Sequence, residues 1–489
     1  MSPRPLQENP RPLQGSTVTV IGGGLAGISA ALEAAQLGGS VTLVERKAHL
    51  GGLTWSFEHN GLDMDNGQHV FLACCGEYRR FLERIGSERD VVGPLPLDVP
   101  VLAETARGGV RATRLRRSNL PVPFHLAASL LSYPHISAAE RLGLGRALAG
   151  LARLRVGDPR LDEVNFSDWL RRHGQSPRAI AAVWDLITVP TVNLPASQTS
   201  LAVAAQVFKT GLLSDRSACD IGWSAIPLGR LHGQRAAAAL RRQGVAVLTS
   251  KRVRSLVGHG PRWDVLTDSD TLQSDAVIVA VPHDEASTLV PSETTADRER
   301  ERWRDLGSSA VVDVHLVFDR IVTAWPVMAA LNSPVQWVFD RSDASGLSEA
   351  DRRPQQGRRK PQYLAVSISA ADELLGRKPA AIVQDVTSAL RRLLPASADA
   401  VLVDSLVTKE RRATFKALPG SSALRARPAT AQRHLAIAGA WTDTGWPATM
   451  EGAVRSGLAA ARALAGLPSS QLTASSLTVQ LPEPTWEVA

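Results

Sequence analysis

A chain of 489 residues suggests two or three domains with ample core. Its 44% hydrophobic and 21% charged residues are ordinary for a soluble globular protein, and no run reaches the ~18 apolar residues of a membrane-spanning helix. The net charge of +8 is spread along the chain; it fits a codon bias toward Arg or attraction to an anionic membrane or diphosphate-bearing substrate, and by itself it points to no nucleic acid or other partner.

Met1 to Gln14 holds Pro and Arg and no apolar core, so it reads as a disordered tail rather than a signal peptide. Thr17 to Ile21 has the β-branched composition of a buried parallel strand. Gly22, Gly24 and Gly27 follow as G-x-G-x-x-G, with Leu25 and Ala26 opening an Ala-rich helix that Gly38-Gly39 ends. Val41 to Val44 is a second strand, with Glu45 at its end, eighteen residues after Gly27. The first glycine allows a tight strand-to-helix turn, the second brings backbone N–H groups to a pyrophosphate, and the third lets helix and strand pack closely. The helix N-terminus favours phosphate, and Glu45 can accept a ribose hydroxyl, so this unit predicts dinucleotide binding. Arg46 follows, then Gly51-Gly52-Leu53-Thr54-Trp55; a double glycine after the ribose-binding acid is the second signature of a flavin-binding half and points to FAD.

Asp63 to Phe71 (DMDNGQHVF) reads as a polar turn entering a strand, in which Asp63 and Asp65 are turn acids. Cys74, Cys75 and Cys219 are the three cysteines. Adjacent cysteines make a poor disulfide and no C-x-x-C occurs, which argues for a reducing, cytoplasmic setting and against a structural zinc site; no metal is expected. Tyr78 to Ile85 is an amphipathic helix, and Leu95 to Arg117 a strand pair. Leucine-rich segments from Leu120 to Leu213 predict a mostly helical region. Arg230 to Gln243 is a helix; Val245 to Thr249, Arg252 to Leu256, Trp263 to Leu266 and Ser274 to Val281 are strands returning to the first domain. Val311 to Phe318, Val335 to Phe339 and Tyr363 to Ser369 alternate like an antiparallel sheet, with a surface loop from Asp343 to Lys360. Ala380 to Leu394 is a helix, Ala400 to Thr408 and Leu435 to Gly439 are strands, and Glu451 to Leu464 closes the fold as a helix. The Ser-, Thr- and Pro-rich tail from Leu467 reads as flexible.

The blocks GGGLAG, LGGLTWS, DNGQHVF and AGAWTDTGWPATMEGAVRSGLAAA together resemble the FAD-dependent amine-oxidase and phytoene-desaturase superfamily. Within it, DNGQH, DIGWSAIPLGRLH (Asp220 to His232) and WTDTGWPATMEGAV (Trp441 to Val454) resemble the hydroxysqualene dehydroxylases, the squalene-associated flavoenzymes of bacterial hopanoid pathways. The resemblance runs from about Thr17 to Leu464 and implies an α/β Rossmann-like FAD-binding domain of the amine-oxidase or glutathione-reductase type. A discontinuous substrate domain of mixed sheet and helix would be inserted in it. The expected division is 15–104, 226–290 and 400–466 for FAD, and 105–225 and 291–399 for substrate. The resemblance implies reductive dehydroxylation of hydroxysqualene to squalene, hydride coming from reduced flavin after acid-assisted loss of water. It also implies transient contact with the inner face of the cytoplasmic membrane.

The resemblance places Gly67 beside the flavin, Val253 under its adenine, Gly439 at the end of the last FAD-domain strand, and Thr449 and Met450 at the N-terminus of the closing helix. The family's Gly-Asp at that strand end is Gly439-Ala440 here, and Leu53 stands where an arginine often follows the double glycine. His69, Gln68 and Asp443 are the candidate catalytic groups; for His69 a satisfied loop histidine, and for Asp443 a cap, are equal readings. Trp55, Trp223, Trp441 and Trp446 are candidates to line an apolar channel, against core packing for each. An oxidative carotenoid desaturase or amine oxidase, and a non-catalytic prenyl-lipid carrier on the same fold, are the rival readings. No second dinucleotide fingerprint occurs, which leaves the electron donor open.

Overall fold

The computed structural model describes residues 12–105, 109–292, 299–347 and 360–468. A five-stranded parallel sheet runs in the order Ala246–Leu248, Ser40–Val44, Thr17–Ile21, Ala276–Val279, Leu435–Ile437. Its strands are β-branched because both faces are covered. Val20, Leu43 and Ile278 face the helices Leu25–Gln36, Arg235–Arg242 and Met450–Leu464. Ile21, Val44 and Val279 face Trp263 and Val265 of a three-stranded antiparallel sheet, Val253–His259, Arg262–Thr267 and Thr271–Ser274.

The first and last helices meet through small residues. A Cβ on Gly457 would stand 2.1 Å from the Ala26 carbonyl oxygen, and the Ser29 hydroxyl donates to the Val454 carbonyl at 3.1 Å. Close approach of these two helices packs the first βαβ unit against the helix that follows the last strand of the sheet.

A second, seven-stranded sheet runs Leu402–Phe415, Ser308–Phe318, Gln362–Ile368, Trp337–Asp340, Val327–Leu331, Asp98–Glu104, Val110–Arg116. Val312, Val314 and Leu316 pack on the helix Pro379–Leu393. The opposite face, through Val99, Val101 and Ala329, packs under the helices Ala138–Arg153, Phe166–Arg172, Asp185–Val192 and Leu201–Phe208. A small sheet of Val70–Leu72, Ile221–Ser224 and Val91–Leu95 joins the two halves.

Three expectations change. Asp98–Glu104 and Leu402–Phe415 fell in the FAD-domain spans, but their partners put both in the seven-stranded sheet. Leu13, expected in a disordered tail, is 5% exposed and donates its N–H to the Leu37 carbonyl at 3.0 Å, because it covers the exposed end of the first helix. The rest of that tail, residues 1–11, the flexible tail from 469, and 348–359 of the expected surface loop lie outside the described residues.

Candidate FAD and substrate site

The first strand ends in a turn that only glycine can make. Gly22 has φ +107°, and a Cβ there would stand 2.4 Å from the Ala280 carbonyl oxygen. Gly24 caps the first helix without a side chain, so the helix N-terminus presents bare backbone. Gly52 (φ +64°) packs its Cα side against Gly24, where a Cβ would come within 2.9 Å of the Gly24 Cα. The Gly51 N–H donates to the Gly23 carbonyl at 2.8 Å. The two glycine segments therefore form one wall of backbone. Gly27 lies behind it: its Cβ would sit 1.8 Å from the Gly22 oxygen, so its role is helix–turn packing rather than wall.

Glu45 is 8% exposed and accepts the Gly23 and Lys47 N–H groups at 2.6 and 2.7 Å. Arg46 pairs with Glu285 at 2.7 Å. The Thr54 hydroxyl donates to the Gly51 carbonyl at 2.8 Å, while Leu53 stays 40% exposed. At the far end of the cradle Gly439 (φ +142°) donates its N–H to the Ser456 hydroxyl at 2.9 Å. Thr449 caps the closing helix by accepting the Gly452 N–H at 3.1 Å. Arg425 is 7% exposed and holds the intervening loop, donating to the carbonyls of Trp441, Thr442 and Trp446. Burial pushes its guanidinium down to about 10.

One cavity of about 660 Å³ joins all of this to the second sheet. Gly22, Gly24, Leu25, Ala26, Glu45, Arg46, Gly51, Gly52, Leu53, Thr54, Gly67, Val253, Gly439, Thr449 and Met450 line it. The open backbone at Gly22, Gly24, Gly51 and Gly52, the helix N-termini and the buried acid fit a flavin dinucleotide. The cavity then runs over the inward face of the seven-stranded sheet and under the helices, ending among Leu126, Leu130, Leu144 and Leu148.

The two parts meet at the turn 65–69. Asp65, 4% exposed, accepts the Ser56 hydroxyl at 2.7 Å, the Leu228 N–H at 2.9 Å and the Arg341 guanidinium at 2.9 Å. This buried pair locks the turn. Gln68 and His69 both line the cavity. The Gln68 side-chain Nε2 is buried with no hydrogen-bond partner among the described residues. His69 Nδ1 lies 3.0 Å from the Gly67 carbonyl, which makes it the N–H donor; burial lowers its pKa despite that carbonyl and Asp65.

Three expected residues fall elsewhere. Asp443 is exposed and does not line the cavity, because the Arg425-bound loop turns it outward. Trp55 also lies off the cavity lining, stacked on His49 at 5.0 Å with Lys47 over its ring. Trp223 is taken up by pairing with Val70 and Val92 in the small sheet. Trp441 and Trp446 do line the cavity.

The sequence reading missed Asp313. It lines the cavity from the strand Ser308–Phe318, is 1% exposed, and accepts the Gln68 N–H at 3.3 Å. Burial raises its carboxyl to about 7, with Asp65 adding to the shift. Its signal was an acid in the middle of a largely apolar strand, SSAVVDVHLVF. Also missed were Glu451, 1% exposed and tied to Arg455 at 2.6 Å, and His125, 1% exposed with both ring nitrogens unpartnered among the described residues.

Residues 25–465 match the family model for flavin containing amine oxidoreductase. The chain is 29% identical over 454 residues to hydroxysqualene dehydroxylase of Rhodopseudomonas palustris, covering 91% of this chain and 97% of that one. It is 30% identical to the hydroxysqualene dehydroxylase of Sinorhizobium fredii, again over 91% and 97%. Similarity extends to zeta-carotene desaturase of Synechocystis at 23%, over 91% and 96%. Among solved structures, a double mutant of putrescine oxidase superposes with TM-score 0.68 at 17% identity, covering 92% of this chain and 99% of that one. Cyclohexylamine oxidase from Brevibacterium oxydans superposes with TM-score 0.65 at 18%, over 92% and 99%.

Proposed function

The chain belongs to the flavin containing amine oxidoreductase family and is an FAD-dependent oxidoreductase, and from that premise we propose that it reduces hydroxysqualene to squalene. The observation that carries this reading is the continuity of a dinucleotide cradle with a long apolar channel, joined at a buried polar turn. A C30 hydrocarbon bearing one hydroxyl suits such a channel: a largely apolar wall for the chain and polar groups at the turn for the oxygen.

FAD, once reduced, supplies a hydride. The residues of the chain do the rest. The walls of the channel, from Val99 and Val101 to Leu144 and Leu148, hold the hydrocarbon and exclude water. The Gln68 Nε2, without a partner among the described residues, offers a hydrogen bond to the hydroxyl oxygen. His69, kept neutral by burial, orients rather than protonates.

Anaerobic incubation of the dithionite-reduced holoenzyme with hydroxysqualene tests this, with squalene expected by gas chromatography. Absence of squalene, together with desaturation of phytoene or zeta-carotene by the oxidised enzyme, would instead establish the second reading, which the zeta-carotene desaturase relatives favour.

The same reading brings the protein to a membrane, on the cytoplasmic side. Pro123, His125, Leu126 and Leu130 line the cavity, while Leu120, Phe124 and Leu131 of the same segment are 52%, 59% and 62% exposed. Arg111, Arg114 and Arg116 are exposed on the neighbouring strand. An apolar lip flanked by arginines over the end of a lipid channel suits an anionic bilayer surface.

A further inference from the structure

We propose that Asp313 is the proton donor that releases the hydroxyl group as water, with the turn 65–69 as its positioning element. The inference rests on the reductive dehydroxylation read above.

The case begins with where the strand puts the side chain. Val312, Val314 and Leu316 point into the core beneath the sheet, so Asp313 must point into the cavity. Its cross-strand neighbours are Ser367 and Thr408. Gly67 is packed so near that a Cβ there would lie 3.3 Å from Asp313 Oδ2. The carboxyl therefore sits at the junction of cradle and channel.

The surroundings keep its proton on. Facing it are Asp65, whose charge is engaged by Arg341, then His69 held neutral, and the Tyr363 phenol. Gln68 and Ser367 donate to it, which opposes the effect of burial only in part. Among the described residues no cation stands within ion-pair distance of it. An acid that remains half protonated near neutrality and is sheltered from water is suited to donating a proton.

The other acids are worse placed. Asp443 is outside the cavity and exposed. Glu451 is held by Arg455 and by the N–H groups of Tyr78 and Glu77. Glu410 lies on the outermost strand and accepts the Arg412 N–H.

The step balances. The Asp313 proton goes to the hydroxyl oxygen, and the carbon–oxygen bond breaks with both electrons on oxygen. Water leaves, and the hydride equivalent from reduced flavin forms the new carbon–hydrogen bond. One alcohol, one hydride and one proton give one hydrocarbon and one water. Asp313 regains its proton from solvent between turnovers.

The test compares wild type, Asp313→Asn and Asp313→Glu, all loaded with FAD. In anaerobic single turnovers with hydroxysqualene, Asp313→Asn should be slower by about 10²-fold or more, and Asp313→Glu should recover part of that. FAD content and squalene affinity should stay within about twofold of wild type. The wild-type rate should fall above about pH 7, and the residual rate of Asp313→Asn should lack that limb. The acetate ester of hydroxysqualene, whose leaving group departs without a proton, should narrow the gap between the two. Independently of turnover, the infrared spectrum should show a protonated-carboxyl band titrating near pH 7 that Asp313→Asn lacks. Full-rate turnover by Asp313→Asn, a retained alkaline limb, or absence of that band would overturn the inference alone. Failure of wild type to form squalene would overturn the functional reading, and this inference with it.

Discussion

At Gly22 a single hydrogen atom decides whether the cradle exists. Alanine there would meet the Ala280 carbonyl at 2.4 Å in a backbone conformation that side chains rarely adopt. Gly22→Ala should cost about 2–4 kcal/mol of stability and leave the purified protein with little flavin, read from its visible absorbance. Asp313 makes a prediction about pH. Its folded pKa of about 7 is above the unfolded value of about 4, so the native state holds a proton that the unfolded chain releases. Its contribution to stability is full below about pH 4 and is lost as pH rises through about 7. Replacing it by Asn should therefore be more favourable at pH 8 than at pH 5, by on the order of 1–3 kcal/mol in urea unfolding of the holoenzyme. An equal difference at the two pH values would show that the carboxyl is ionised throughout. The glycine turn after the first strand and the end of the second strand at Glu45 were legible because both are local patterns. Asp313 was not: alternation marks two faces of a strand, and only packing says which one meets a cavity.

At the scale of elements, the loop before the closing helix shows how one side chain can hold a segment. Arg425 reaches three carbonyls of the 441–446 loop and lies 4.9 Å from the Phe415 ring. Arg425→Met would strand those carbonyls, and it should lower stability by about 2–4 kcal/mol and weaken FAD retention on dialysis. Unchanged urea unfolding would mean that solvent satisfies the loop. The closing helix, expected over Glu451 to Leu464, forms over Met450–Leu464 with Thr449 as its cap. The outward turn of Asp443 was not, because the arginine responsible is eighteen residues away in sequence and bonds to backbone, which has no identity to read. Trp55 and Trp223 teach the same lesson: a tryptophan's size argues for burial, while its neighbours decide whether it faces a ligand or another ring.

The whole molecule is organised by a cavity that crosses from one sheet to the other. Its lip makes the last prediction. Replacing Leu120, Phe124 and Leu131 together by Ser should reduce flotation with vesicles containing about one-third anionic lipid several-fold, and slow delivery of hydroxysqualene from those vesicles, without changing turnover in detergent. Equal flotation of the two proteins would remove the docking role from this segment.

The amino-acid order alone determined the dinucleotide cradle, the two-sheet plan with its helical part, and the absence of a long apolar span, since each follows from contiguous residues and their spacing. Tertiary structure decided which sheet claimed Asp98–Glu104 and Leu402–Phe415, which tryptophans reached the channel, and that Asp313 rather than Asp443 entered it. The reason is physical: local sequence sets backbone conformation and periodicity, whereas desolvation and facing depend on partners hundreds of residues away, such as Asp313 beside Gln68.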